Sequence, residues 1–261
     1  MKNRLKTLLD AGDVAIGAQL RFGSPAIAEL FGCAGFDCVV FDAEHAPQSQ
    51  PGILSQIQGL ASTSATPIIR VPKNDPDIFR VYLDMGAGGI LAPFVKTPEE
   101  VEAGAKGCRY PPRGTRGFGL DRAGRYGFDD QYFDQANDQV LYMVIIETVE
   151  AVEAIDEILS VDGLDGFVVG PFDLSISLGV PRQFDDPRFT SAVEKVVQAA
   201  QKAGIPAGTD VDAFGCTPDS FKGPMEKGYR LVLVDGDEWM LQAVTQNVIN
   251  RFSQVKDIFV R

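Results

Sequence analysis

The sequence predicts a (β/α)8 barrel, and three observations carry that expectation. Eight short apolar runs alternate with helix-period segments from one end of the chain to the other. The 261 residues suit eight such units, since a βαβ repeat takes roughly 30 residues. Charged residues close several of the apolar runs, where a parallel barrel collects its functional groups. An open doubly wound sheet is the runner-up, but it would want a glycine-rich phosphate turn after its first strand. The Gly-x-Gly at Gly117 and Gly119 follows no strand and reads as a flexible turn.

Taken in order, Met1 to Asp10 is charged and helix-like, and Val14 to Leu20 is the first strand. Ser24-Pro25 then starts a helix, with Ser as N-cap and Pro at the first helical position. Its Ile27, Leu30, Phe31 and Ala34 share one face, and Gly35 closes it. Cys38 to Asp42 is the second strand, followed by a helix through Ile53, Ile57 and Leu60. Pro67 to Arg70 is the third strand. Asp75-Pro76 caps the next helix, whose Ile78, Val81, Tyr82 and Met85 face inward. The fourth strand is Gly89 to Val95, and Thr97-Pro98-Glu99-Glu100 is a capping box.

Gly107 to Gln139 interrupts this rhythm. It is rich in Gly, Arg, Pro and aromatics, and too long for a simple connection. Within a single domain covering 1–261 it reads as an irregular excursion at a subunit interface, with a short helix over Gln131 to Ala136. Leu141 to Glu147 is the fifth strand. Its helix turns Val152, Ile155 and Leu159 inward, and Asp162-Gly163 reverses the chain. Gly166 to Gly170 is the sixth strand. Asp186-Pro187 opens a helix that buries Phe189, Val193, Val196 and Ala200. Ile205 to Thr209 and Arg230 to Asp235 are the last two strands. An amphipathic helix runs from Asp237 towards Phe252, and a tail reaches Arg261.

Composition narrows the function. A net charge of −12 offers no phosphate-neutralising field for nucleic acid and disfavours an anionic membrane. No run approaches the roughly 18 apolar residues of a membrane span, and no signal core precedes the first strand. The four cysteines, Cys33, Cys38, Cys108 and Cys216, show no C-x-x-C pair. Reduced and mostly buried thiols in a cytoplasmic protein fit that pattern.

The strand ends carry the chemistry. Strand two ends in Asp42, Glu44 and His45, the only histidine in the chain. Ionisable groups this close set each other's protonation, and imidazole is suited to proton transfer near neutrality. Arg70 ends strand three, Glu147 ends strand five, and Asp173 follows strand six. Two carboxylates on neighbouring strands suit a hard divalent ion such as Mg²⁺ or Mn²⁺, with most of its shell left to water and substrate. Singly, Glu147 and Asp173 could be helix caps and Arg70 a structural ion pair; together, at one rim, they point to a site.

These residues lie in the strings GFDCVVFDAEHAP, PIIRVPKNDP, LDMGAGGILAPFV, RYPPRGTRG, IET and DGFVVGPFDLS. From about Gly17 to Asp235 the chain resembles the HpcH/HpaI family of class II pyruvate aldolases. The resemblance implies a barrel like those of the phosphoenolpyruvate/pyruvate superfamily, its last helix swapped between subunits, in a homohexamer built as a trimer of dimers. It implies Mg²⁺, Mn²⁺ or Co²⁺ held by Glu147 and Asp173. It makes His45 the acid–base residue, assisted by Asp42 or Asp84, and sets Arg70 over the keto oxygen. Backbone N–H groups of Phe172 and Asp173, in the turn begun by Gly170 and Pro171, would hold the pyruvate carboxylate.

The implied reaction cleaves or forms a 4-hydroxy-2-oxo acid, with pyruvate and an aldehyde as partners and a metal-stabilised enolate between them. Two positions depart from the family pattern. Ile145 stands where Gln is common, beneath Glu147 on the same strand face. Gln19, on the aldehyde side, stands where Trp is frequent. Three alternatives stay open: a lyase on a CoA-linked or dicarboxylate substrate, a Schiff-base aldolase, and a non-catalytic 2-oxo-acid-binding barrel. Strand six has no Lys for a Schiff base, and Lys73 and Lys96 fall in loop-like positions. The stretch from Arg113 to Arg125 could be a phosphate grip, but reads better as a contact between subunits.

Overall fold

The eight strands are β1 (Ala15–Leu20), β2 (Cys38–Asp42), β3 (Thr66–Arg70), β4 (Gly89–Ala92), β5 (Leu141–Ile146), β6 (Gly166–Val169), β7 (Ala207–Val211) and β8 (Leu231–Val234). They pair in sequence order, all parallel, and β8 closes on β1. This is the expected (β/α)8 barrel, seen in a computed structural model that describes residues 2–212 and 216–259. The end of the tail, including Arg261, lies outside the described residues.

Strand side chains alternate between the lumen and the surrounding helices. Val40, Ile68, Leu91, Met143, Ile145, Val168 and Leu233 belong to one apolar cluster that fills the lumen. The opposite face of each strand packs into the larger cluster shared with the helices. At the amino-terminal mouth, α1 (Arg4–Asp10) adds Leu5 and Leu9 to the lumen cluster as a plug. Asn3 fixes this plug, its Nδ2 donating to the carbonyls of Gly88 (2.8 Å) and Gln139 (2.7 Å). At the other mouth the same inward register continues into Gln19, Asp42, Arg70, Glu147, Gly170, Asp210 and Asp235. The lumen is thus apolar to its upper edge and becomes polar at the carboxyl rim, where (β/α)8 enzymes place their chemistry.

The outer helices follow the expected caps. Ser24 accepts from the Ile27 N–H ahead of α2 (Pro25–Ala34), and Gly35 ends it in the left-handed region. Helices α3 (Gln50–Leu60), α4 (Pro76–Asp84) and α5 (Pro98–Gly107) each have Pro in their first turn. After β5 the chain forms two short helices rather than one, α6 (Tyr132–Gln139) having preceded it. These are α7 (Val149–Glu153) and α8 (Ile155–Leu159), broken at Ala154, where ψ is 18°. The series continues with α9 (Pro171–Ser177), α10 (Pro187–Ala203), α11 (Pro218–Lys227) and α12 (Asp237–Phe259). Two strands differ from expectation by more than one residue at an end. β4 stops at Ala92 because Pro93 has no N–H to continue the ladder. β7 runs two residues later than predicted, so Asp210 lies inside it.

The excursion after α5 folds against the amino-terminal side of the barrel. Arg116 ion-pairs with Asp84 at the end of α4 (2.7 Å), and its guanidinium lies 4.5 Å above the Tyr110 ring. Tyr110, Phe118, Tyr132 and Phe133 pack edge to face or stacked around it. All four cysteines are free; Cys38 and Cys108 are buried and Cys33 and Cys216 exposed, so burial holds for half of them. No helix among the described residues is long and apolar enough to cross a membrane.

Candidate active site at the carboxyl rim

Asp42, fully buried at the end of β2, organises one side of the rim. Its carboxylate receives Nε of Arg70 (3.0 Å) and also the Arg70 Nη2, a two-point pair that fixes the guanidinium plane. Oδ1 also accepts the backbone N–H groups of Glu44 and His45, each at 3.0 Å. Arg21, just after β1, adds its Nε at 3.2 Å from Oδ2. Burial opposes the charge on Asp42, but Arg70 and the two turn amides outweigh it and hold its pKa below the usual range. Asp42 therefore grips Arg70 and the backbone of the turn rather than the imidazole. The neighbour of the His45 ring is Glu44, with 3.5 Å between Nε2 and Oε2, and the ring is half exposed to the mouth.

Glu147 stands opposite, one residue past β5, and is only 4% exposed. Its Oε1 accepts the Phe94 N–H at 2.7 Å. Phe94 has φ of 52°, a left-handed backbone unusual for a bulky residue, and its N–H is fixed on the carboxylate in that conformation. Burial pushes Glu147 up to about 7; the Phe94 amide and Arg70 oppose this, and the charges of Glu44 and Asp173 add to it. Glu44 is likewise pushed to about 7, first by burial and then by Asp42 and Asp173, against the pull of Arg70. Acids from β2, β5 and the turn after β6 thus repel one another across one space. Glu147 is not the cap of the following helix: Thr148 is, accepting the Ala151 N–H.

Asp173 sits in the first turn of α9 rather than at its cap. That cap is Gly170, which has no side chain to bond the leading N–H groups of Phe172 and Asp173. Gly170 is small for a steric reason. A Cβ there would lie 2.7 Å from Glu147 Oε2 and 2.9 Å from Ile145 Cγ2. Ile145, buried in the lumen, supplies an apolar floor beneath Glu147.

The remaining arc of the rim, from β7 through β8 to β1, also carries polar groups. Gln19 Nε2 donates to Asp210 Oδ1 at 3.2 Å, reaching across the end of β8. Burial pushes Asp210 up to about 7; Arg70 and Gln19 oppose this, while Asp235 adds to it. Asp84 is not brought to the rim in this chain. It lies where α4 returns to the amino-terminal side, paired with Arg116. The sequence placed Glu44 among the ionisable groups ending β2 but not as a charge acting on Glu147, and it gave no sign of Arg21, Asp210 or the Phe94 amide.

The family model for HpcH/HpaI aldolase/citrate lyase matches residues 20–232. A 4-hydroxy-2-oxo-heptane-1,7-dioate aldolase from Klebsiella pneumoniae subsp. pneumoniae is 40% identical over 255 residues, covering 97% of this chain and 95% of that protein. A 5-keto-4-deoxy-D-glucarate aldolase from the same organism is 33% identical, covering 97% of each. Among solved structures, an HpcH/HpaI aldolase/citrate lyase family protein from Burkholderia cenocepacia J2315 superposes with a TM-score of 0.90 at 30% identity. That match covers 97% of this chain and 100% of the other. With the barrel, the acid-lined rim and these full-length matches in hand, the chain belongs to the HpcH/HpaI aldolase/citrate lyase family.

Proposed function

We propose that the protein is a carbon–carbon lyase of the class II pyruvate aldolase type. It cleaves or forms 4-hydroxy-2-oxo acids, with Glu147 and Asp173 holding a divalent cation. The observation that carries this reading is the gathering of Glu147, Glu44 and Asp173 at one rim, near enough for the Asp173 charge to act on both glutamates, which burial pushes up to about 7. Carboxylate oxygens facing one space are the donor chemistry a hard ion such as Mg²⁺, Mn²⁺ or Co²⁺ takes. Among the described residues no three His, Cys, Asp or Glu side chains close on one point. Glu147 and Asp173 as the two protein ligands would leave the rest of the cation's shell to water and a 2-oxo acid. When bound, such an ion supplies Lewis acidity to the substrate's carboxylate and keto oxygens.

The chain supplies the rest. The N–H groups of Phe172 and Asp173, which no side chain caps, donate to the C1 carboxylate, and Arg70, locked by Asp42, places positive charge where the keto oxygen gains electrons. His45, beside Glu44, takes the proton of the C4 hydroxyl. The C3–C4 bond then breaks, its electron pair passes towards the C2 oxygen, and C4 leaves as the aldehyde carbonyl. A proton delivered to C3 completes pyruvate. Among the described residues none of the eight strands carries a lysine. Lys73 and Lys96 are exposed and paired with Asp75 and Glu150. This favours the cation route over a Schiff base.

A homo-oligomer, a hexamer arranged as a trimer of dimers, belongs to the same proposal. Val244, Val248, Ile249 and Phe252 of α12 are each more than half exposed, an apolar face that a partner subunit would cover. The test of the activity is pyruvate release from a panel of 4-hydroxy-2-oxo acids. Turnover should vanish with chelator and return with Mn²⁺ or Mg²⁺. Chelator-resistant turnover, or a lysine trapped by borohydride with pyruvate, would overturn the reading.

A further inference from the structure

The carboxyl rim is joined by one helix from outside the wall of strands. The first two residues of α12 are Asp237 and Glu238, acids that suit a helix N-terminus. Both are turned to Arg21. Asp237, only 2% exposed, accepts the backbone N–H groups of Arg21 (2.8 Å) and Phe22 (3.2 Å), which fixes the main chain as it leaves β1. Glu238 takes the side chain, with its Oε1 at 2.6 Å from Arg21 Nη1. A Cβ at Gly236 would collide with Glu238 Oε2, so the bare glycine leaves this carboxylate its place.

The other two nitrogens of Arg21 reach the site. Nε lies 3.2 Å from Asp42 Oδ2, and Nη2 donates to the carbonyl of His45 at 3.4 Å. One planar fork therefore bridges α12, the end of β2 and the turn that carries the imidazole. Charges alternate along Glu238, Arg21, Asp42 and Arg70. Asp42 is fully buried between the two guanidinium groups, while Arg21 and Glu238 are mostly buried beside it. Held by Arg70 alone, the carboxylate could turn with that side chain. Held from Arg21 as well, it is a fixed seat for Arg70. Such seating matters because a misplacement of about 1 Å can cost about 100-fold in rate.

We infer that Arg21, braced by Glu238, is a positioning residue for the reaction: it fixes Asp42 and the His45 turn, and through Asp42 the guanidinium plane of Arg70. This rests on the aldolase reading. It requires no contact between Arg21 and the substrate, so its mark is on turnover rather than on binding.

The test is steady-state pyruvate release from one hydroxy-oxo acid at saturating Mn²⁺. R21M keeps the stem and removes the three nitrogens; kcat should fall about 10-fold while KM moves by less than about 2-fold. E238Q keeps the shape and removes the charge, and should lower kcat by about 3-fold. Placed in R21M, E238Q should have no further effect, because it acts through Arg21. R21M and R70K should combine to less than the product of their separate losses, since both act on the same guanidinium. Circular dichroism checks the fold, and E238Q, at the exposed start of a helix, carries the kcat and KM comparison if R21M folds poorly. A loss that falls in KM would mean that Arg21 touches substrate and would overturn the inference. An unchanged kcat in both variants, or an E238Q effect undiminished in R21M, would overturn it as well. Those outcomes leave the aldolase reading standing. A wild type that releases no pyruvate with any divalent ion would overturn that reading, and this inference with it.

Discussion

Glu147 shows how burial, repulsion and chemistry meet in one side chain. Burial raises its pKa in the folded protein to about 7 from the ordinary glutamate value of about 4.5. A carboxyl raised on folding contributes stability below its unfolded pKa and loses it as pH climbs through the folded pKa. Without divalent ions the wild type should therefore weaken between about pH 4.5 and 7 relative to E147Q, by about 2 kcal/mol. Urea denaturation with chelator at pH 5 and pH 8 reads this directly, and added Mn²⁺ should remove the wild-type deficit. Arg70 makes a second case. Its two-point pair with Asp42 needs a planar guanidinium. R70K keeps the charge but loses the orientation, so kcat should fall by about 100-fold with less change in KM. Steady-state kinetics on one hydroxy-oxo acid separates the two parameters.

At the level of elements, the barrel is a packing device with a polar lip. G170A would drive a methyl group against Glu147 and Ile145. It should lower Mn²⁺ affinity by at least about 10-fold while circular dichroism stays native. N3A unfastens the α1 plug at the other mouth and should cost about 2 kcal/mol in urea melts without altering KM. The eight strands were legible in the sequence because parallel strands buried on both faces read as unbroken apolar runs. Several site groups were legible too, because Asp42, Arg70 and Glu147 end such runs abruptly. Asp210 was not. Gly208-Thr209-Asp210-Val211-Asp212 has the composition of a loop, since Asp is depleted in strands, and only the closed register shows it inside β7. The Phe94 amide was hidden for a different reason: a left-handed φ at a phenylalanine leaves no trace in hydropathy. Pro224 inside α11 breaks the periodicity by which a helix is read.

On the scale of the whole molecule, the two ends of the cylinder do different work. The amino-terminal end is closed by α1 and wrapped by the excursion that pairs Arg116 with Asp84. That excursion and α12 carry much of the exposed apolar surface, including Phe128, Phe252 and Val248. If α12 forms the proposed subunit contact, V248D should shift sedimentation to smaller species, and an unchanged profile would remove that helix from the interface. The carboxyl end is kept for chemistry. Its central claim is that carboxylates of β5 and α9 share one cation and with it cleave a carbon–carbon bond. The most direct measurement pairs Mn²⁺ titration calorimetry with pyruvate release for the wild type, E147A and D173A. Each variant should lose both ion affinity and bond scission while keeping its fold; variants that bound Mn²⁺ and released pyruvate like the wild type would contradict the claim.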